Sequence, residues 1–416
     1  MKEQRVRQVV LGVTGSIAAY KAAELVRLLV KSRVGVEIIL TRAGAQFLTP
    51  LTLSTLSGRP VTTDLWDATG ADPQAGIWHI QASRESDLIV VAPATGNILG
   101  KVAHGIADDA LSTAILASTA PVLFAPAMNT KMWEHPAVQD NLRILRSRGA
   151  QFVAPGSGEL ACGEVGAGRM AEPEEIHGEV MRLLAVGARQ GRLLVTAGGT
   201  EEAIDPVRCL SNHSSGRMGF AIAEAARDLG WEVTLVHARS SAPPPFGVEK
   251  VRVASALEMA NAVEHLHAAH DALIMAAAVA DYRPRRATTQ KIASGESDLR
   301  IELTPNPDIL AGMKGHRDHQ VTVGFALEWG QPGDEGDAER QERARAKLRQ
   351  KGCDLIVLNN PHAPGSAFGG DTNQVTLIDA SDAVDVWPLS TKEEVAHLLM
   401  ARVETMLAAK RRGARG

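Results

Sequence analysis

VRQVVLGVTGSIAAYKAAELVRLLVKSRVGVEIILT, residues 6–41, runs from a β-branched stretch into a glycine turn, then through alanines and leucines at helical spacing, then into a second β-branched stretch. A 3.6-residue apolar period between two short continuous apolar runs is the pattern of a strand, helix and strand on a parallel sheet. The same pattern begins again at residue 192. RLLVTAGGT (192–200) is a strand entering a glycine turn, and GFAIAEAARDLGWEVTLVHA (219–238) supplies the next helix and strand. A single core rarely grows beyond roughly 250–300 residues, and this chain has 416. The reading is therefore α/β, with two tandem Rossmann-like domains of mainly parallel sheets, residues 1–190 and 191–416.

Further strands are expected at DLIVVAP (87–93) and APVLFAP (120–126), with a helix over HGIADDALSTAILAS (104–118) and another after Pro173. Between them GELACGEVGAGRM (158–170) reads as a glycine-rich mobile loop without strand or helix. In the second half, strands are expected at DALIMAAAV (271–279), VTVGFAL (321–327), CDLIVLNN (353–360) and QVTLIDA (374–380). QPGDEGDAER (331–340) reads as an exposed loop opening a charged helix.

Composition excludes several function classes. A net charge of -4 leaves no electrostatic footprint for nucleic acid, and the basic ending AKRRGARG reads as a solvated tail. No apolar run approaches the ~20 residues of a membrane span, and the N-terminus lacks a signal-peptide pattern, so a cytoplasmic location is expected. Cys162, Cys209 and Cys353 are odd in number and far apart, which argues for free thiols over a disulfide framework or a paired-cysteine zinc site. Cys209 reads as a packed small hydrophobe.

Doubly wound sheets bind ligands outside the carboxyl ends of their strands. There GVTGSIAAYK (12–21) places Gly15 and Ser16 at a helix start, a receptor for phosphate. Its spacing lacks the third glycine of the dinucleotide fingerprint, and the second strand ends in Thr41 where an acidic residue would bind ribose hydroxyls. A phosphate monoester suits it better. APATGNILGKVAHGIADD (92–109) brings Ala94, Thr95 and Asn97, FAPAMNT (124–130) brings Met128 and Asn129, and IWHIQ (77–81) brings His79.

These pieces, in this order, resemble the flavin-containing cysteine decarboxylases, with PAMN and ACGEVGAGRM the specific pair of motifs and residues 5–180 covered. The resemblance implies a flavodoxin-like flavoprotein domain. FMN would be bound by Gly15, Ser16, Thr41, Ala94, Thr95, Asn97 and Met128 at a site shared between subunits. It also implies His79 for proton handling, Asn129 for the substrate carboxylate and Cys162 as proton donor on a loop that covers the substrate.

TAGGTEEAIDPVRCLSNHSSGRMGFAIA (196–223) is long for a strand-to-helix connection, which usually takes about 2–6 residues. MAAAVADYRP (275–284) delivers Asp281 from a strand end, Lys291 stands in the otherwise uncharged TTQKIAS, and NPDIL (306–310) offers a capped helix start. Together with VGFALE and KLRQKGCDLIVLNN these resemble the phosphopantothenate-cysteine ligases over about residues 192–400. The tandem order resembles the bifunctional enzymes of coenzyme A synthesis. The resemblance implies a CTP site from Met275, Asp281, Lys291, Asn306, Pro307, Asp308, Ile309, Phe325, Lys347 and Lys351, with Asp281 also ligating Mg2+. It further implies that Lys291 and Asn212 are catalytic, and that the first domain trimerises and the second dimerises. The chain departs from the pattern at Arg217 (for lysine), at Cys209 (for an aromatic) and at KIAS (for a lysine-rich run). Two other readings stay open at this point: a flavoprotein decarboxylase acting on another substrate, and a catalytically silent flavin- or nucleotide-binding regulatory module.

Overall fold

The computed structural model describes residues 6–65, 86–159, 163, 165–184, 190–293, 299–313, 319–329, 333–360 and 370–413. By internal contacts the chain forms two compact units, Met1–Leu184 and Ala185–Gly416.

In the first unit, strands β1 (Gln8–Val13), β2 (Gly35–Leu40), β3 (Val61–Thr62), β4 (Leu88–Ala94), β5 (Val122–Pro126) and β6 (Gln151–Phe152) form one sheet in the order β3-β2-β1-β4-β5-β6. Every pairing is parallel, with Val9 opposite Val36 on one side and Leu88 on the other. β4 is buried at all its positions, so it reads as a continuous apolar run instead of an alternating one. The helix Tyr20–Lys31 buries Ala22, Leu25, Val26 and Leu29, the i, i+3, i+4, i+7 stripe that the opening segment displays. The strand order reverses direction between β1 and β4, which opens a crevice at their carboxyl ends.

The helix expected over 104–118 is confined to Ala110–Ala117, because His104 ends a preceding helix, Gly96–His104, and residues 105–109 are not helical. Gly105 ends the earlier helix in a left-handed conformation, and Asp109 begins the later one with a capping box to Ser112. The glycine-rich segment also departs from expectation. Strands β7 (Gly156–Glu159) and β8 (Val165–Arg169) pair as an antiparallel ladder around it.

The second unit repeats the plan. β9 (Arg192–Ala197) is followed by the short ladder β10 (Glu201–Ala203) and β11 (Cys209–Ser211), then β12 (Glu232–His237), β13 (Glu249–Arg252) and β14 (Ala272–Met275). A second short ladder, β15 (Tyr282–Pro284) with β16 (Leu303–Pro305), precedes β17 (Val321–Leu327) and β18 (Leu355–Asn359). β19 (Thr372–Asn373), β20 (Val375–Asp379) and β21 (Val384–Val386) complete the strands used below. The main sheet runs β13-β12-β9-β14-β17-β18-β20-β21, parallel as far as β18 and antiparallel for the last two. Its reversal lies between β9 and β14. The charged helix expected after residue 331 spans Asp334–Lys351.

Candidate active sites

In the first unit a cleft of about 920 Å³ opens at the carboxyl ends of β1, β2, β4 and β5. Its walls include six of the seven expected cofactor residues, Gly15, Ser16, Thr41, Thr95, Asn97 and Met128. Ala94 lies buried just below as the last residue of β4. Thr14, absent from the sequence expectation, ties two of these loops together. Its Oγ1 donates to the Pro93 carbonyl at 2.7 Å and lies 3.3 Å from Thr95 Oγ1.

That contact has a consequence for anion binding. Thr95 is the N-cap of the helix Gly96–His104, yet its side chain makes no capping bond, so the first-turn N–H groups remain available toward the cleft. Ser16, by contrast, accepts from its own Ala18 N–H at 3.3 Å and caps the short turn Ile17–Ala19. Thr41 Oγ1 is similarly engaged, donating to Val13 O at 3.2 Å and accepting from Gly44 N at 3.1 Å. Lys101 and Asp109 also line the cleft. The ammonium lies 2.6 Å from Asp108 and 2.7 Å from Asp109. Burial favours the neutral form of each group, but the contacts win. They hold the Lys101 ammonium above its ordinary range and, with the Ser112 N–H, the Asp109 carboxyl below its own.

Asn129 caps the helix Thr130–Glu134 by accepting from Met132 N at 2.9 Å. The adjoining Met128 receives the glycine hairpin, because its N–H donates to Gly168 O at 3.0 Å. A Cβ at Gly168 would sit 2.2 Å from Met128 O, and one at Gly166 would sit 2.4 Å from Thr130 Oγ1. These two glycines therefore permit close docking of β8 on the Met128–Thr130 loop. Cys162 and His79 lie outside the described residues.

In the second unit the carboxyl ends of β9 and β14 are laced together. Ala278 N donates to Gly198 O at 2.8 Å, and Ala280 N to Thr200 Oγ1 at 3.0 Å. Onto this frame Asn212 Nδ2 donates to Val279 O at 3.1 Å, and Asn306 Nδ2 to Ala280 O at 2.8 Å. Asn306 N donates to Asp281 O at 2.8 Å, so Asn212, Asp281 and Asn306 share one strand end. Pro307 joins them to Asp308, which caps the turn Ile309–Gly312 through the Ala311 N–H. Met275 ends β14, and Phe325 lies two strands from β9 on β17. Lys351 lies 3.5 Å from Asp308, and Lys347 lies 2.5 Å from Glu328, just past β17.

Lys291 is exposed, and its neighbour Ile292 is held by Asp205 and Arg208. Among the described residues no group of three or more histidine, cysteine or acidic side chains forms a ready metal cage. Cys209 corrects the sequence reading. It is exposed on β11 with Sγ 3.8 Å from Glu201 Oε1, and partial burial and the Glu201 charge raise the thiol above its ordinary range. Raised pKa disfavours the nucleophilic thiolate.

Comparison with known families accounts for both units. Residues 1–185 match the family model described as Flavoprotein, and residues 188–407 that described as DNA/pantothenate metabolism flavoprotein C-terminal domain. The coenzyme A biosynthesis bifunctional protein CoaBC of Vibrio cholerae is 41% identical over 398 residues, covering 95% of this chain and 97% of the relative. This chain belongs to the bifunctional coenzyme A biosynthesis family. The CoaBC proteins of Mycobacterium tuberculosis and Bacillus subtilis are similar to it at 41% and 40% identity, each over 97% of the relative and 97% and 96% of this chain.

Within this family member the sequence motifs converge on two strand-end clusters, but some of the residues that organise them were missed. Thr14, Thr200 and Asp205 act through contacts with residues about 80 positions away, to which a local pattern is blind. The available signal was chemical. Thr14 and Thr200 are short polar side chains just past strands of the parallel sheets, where such a sheet presents its binding edge, and Asp205 follows β10 of the antiparallel ladder that β10 forms with β11.

Proposed function

We propose that this chain joins 4'-phosphopantothenate to cysteine with CTP through a domain of residues 191–416, and decarboxylates the product to 4'-phosphopantetheine through a domain of residues 1–190. The similarity to bifunctional coenzyme A biosynthesis proteins over 95% or more of the chain carries this reading.

For the ligase step a carboxylate is a poor electrophile, and transfer of CMP onto it releases pyrophosphate and leaves an acyl anhydride open to the cysteine amine. Positive charge beside the departing phosphates lowers that barrier. Lys291 is assigned to this role because it is exposed and stands in a segment held by backbone contacts. Lys347 and Lys351 would face the triphosphate, with Glu328 beside the Lys347 ammonium and Asp308 beside that of Lys351. Met275, Asn306, Pro307, Ile309 and Phe325 frame the nucleotide, and Asn212 faces the acyl group. Mg2+ commonly binds through one or two carboxylates plus substrate phosphates, so Asp281 would hold it together with the triphosphate, in keeping with the lack of a ready cage among the described residues.

For the decarboxylation, FMN fits the first cleft, which offers about 920 Å³, an uncapped helix start for the phosphate and hydroxyl-bearing walls. When bound it supplies the electron sink that loss of CO2 from a cysteine carboxylate requires. Gly15, Ser16, Thr41, Ala94, Thr95, Asn97 and Met128 would hold it. Asn129 binds the substrate carboxylate, His79 handles the proton of the oxidative half, and Cys162 donates one in the reductive half. Ile17, Tyr20 and Leu51, next to the cleft loops, are 58%, 62% and 75% exposed. A homo-oligomer with the flavin site shared between subunits is part of the proposal and would cover such exposed apolar side chains.

The purified protein is expected to be yellow, and to release pyrophosphate from CTP when phosphopantothenate is present, about once per site without cysteine and with continued turnover once cysteine is added. Lys291→Gln is expected to lower that release on the order of 10²–10³-fold, the cost of removing one charge-stabilising donor. Colourless protein that releases no pyrophosphate would refute the proposal.

A further inference from the structure

Asp205 follows β10, and its side chain is fully buried at 0% exposure. Its two oxygens have different work. Oδ1 accepts from the backbone N–H groups of Val207 and Arg208, both at 2.8 Å, which is all that a local turn requires. Oδ2 accepts from Arg208 Nε at 2.9 Å and from the N–H of Ile292 at 3.2 Å, 87 residues along the chain. Arg208 Nη2 then donates to the carbonyl of the same Ile292 at 2.5 Å. One further tie, Thr288 N to Ile204 O at 3.0 Å, lays the segment 288–292 along the segment 204–208.

Both polar groups of Ile292 are thus gripped by an aspartate–arginine pair, and the preceding residue is Lys291. We propose that Asp205 is a positioning residue for Lys291, fixing the backbone from which the lysine reaches the nucleotide phosphates. The inference rests on the assignment of Lys291 above. Substitution of Arg or Lys for Asp205 would reverse a buried charge, whereas Asp205→Asn preserves shape while removing the ion pair with Arg208 and one pair of acceptor sites. Whichever way the amide is turned, its NH2 confronts two N–H donors, Val207 and Arg208 or Arg208 and Ile292. Burial alone would raise the Asp205 carboxyl. The amide and guanidinium donors outweigh it and hold the group well below the ordinary carboxylate range, so the grip persists at assay pH.

The test is CTP-dependent pyrophosphate release by the full chain in four forms: wild type, Asp205→Asn, Lys291→Gln and the double variant. Asp205→Asn should lower kcat by about tenfold to a hundredfold, the usual cost of a misplaced group, with KM for CTP changed by less than about threefold. In the Lys291→Gln background the same substitution should cost less than about twofold, because two residues that act as one unit are not additive. A merely structural aspartate would cost the same in both backgrounds, and that result overturns the proposal. An unchanged kcat in Asp205→Asn, beside an impaired Lys291→Gln, sinks the positioning role and spares the lysine. Normal release by Lys291→Gln sinks both. Hydrogen exchange on the wild-type chain decides the geometry without any variant: the Ile292 amide should exchange at least about tenfold more slowly than a free amide. An unprotected amide there overturns the clamp.

Discussion

Gly168 shows what a single residue does at the first site. Its φ is +131°, and an added Cβ would fall 2.2 Å from Met128 O, so alanine is both strained and blocked. Gly168→Ala should push β8 off the Met128–Thr130 loop, lowering decarboxylation about tenfold or more and stability by about 1–3 kcal/mol. Gly163 is the control. Its φ is +81° with nothing within 4 Å of a Cβ, so asparagine, which tolerates the left-handed region, should be accepted there. Measuring CO2 and pyrophosphate release on the same preparations separates a local effect from global damage, since ligation should be untouched in both. Equal loss of the two activities in Gly168→Ala would contradict this. The glycine run was legible in the sequence as a functional element, but not the reason for its glycines. Composition suggests backbone freedom, whereas Gly166 and Gly168 are small because another loop approaches them, and that approach is a tertiary fact.

Among elements, the parallel strands were the most legible, because strands covered on both faces show as continuous apolar runs. VTVGFAL, for example, coincides with β17 at Val321–Leu327. Helix limits were less so. Within the expected 104–118 span the alanine and leucine pattern belongs to Ala110–Ala117, and the Gly105 stop and the Asp109 cap mark where one helix ends and the next begins. Asp109 also carries a pH dependence. Burial opposes its charge, but Lys101 and the Ser112 N–H depress its folded pKa. A depressed carboxylate stabilises the fold above its unfolded pKa of about 3.9 and loses that contribution as pH falls through the folded value. Asp109→Asn keeps a cap acceptor for Ser112 N but loses the ion pair with Lys101. In urea unfolding the variant should therefore lie below wild type at pH 7, with the gap narrowing as pH falls below about 4. A gap independent of pH would mean that charge is not the source of the difference.

At the scale of the molecule, each unit has its own buried cores. Val9, Leu11, Leu25, Leu88 and Ile176 belong to one in the first, and Leu193, Leu235, Val323, Leu399 and Leu407 to one in the second. Each sheet also has its own direction reversal, so each proposed ligand set gathers at the strand ends of its own sheet. This duplication was visible in the sequence, because a strand-turn-helix start recurs at residue 192 and a second start implies a second sheet. A ligand stabilises only the state that binds it, by about 2.7 kcal/mol at a hundredfold excess over its Kd. For units of this size that is a rise of roughly 5–10 °C in midpoint. Calorimetry should resolve two transitions. FMN should raise one and leave the other, while CTP with Mg2+ should do the reverse. Asp281→Asn should abolish the CTP and Mg2+ shift and spare that of FMN, because it removes the carboxylate proposed for the metal. A single transition that answers to both ligands would show that the two cores unfold as one, and that the two proposed sites are not energetically separate.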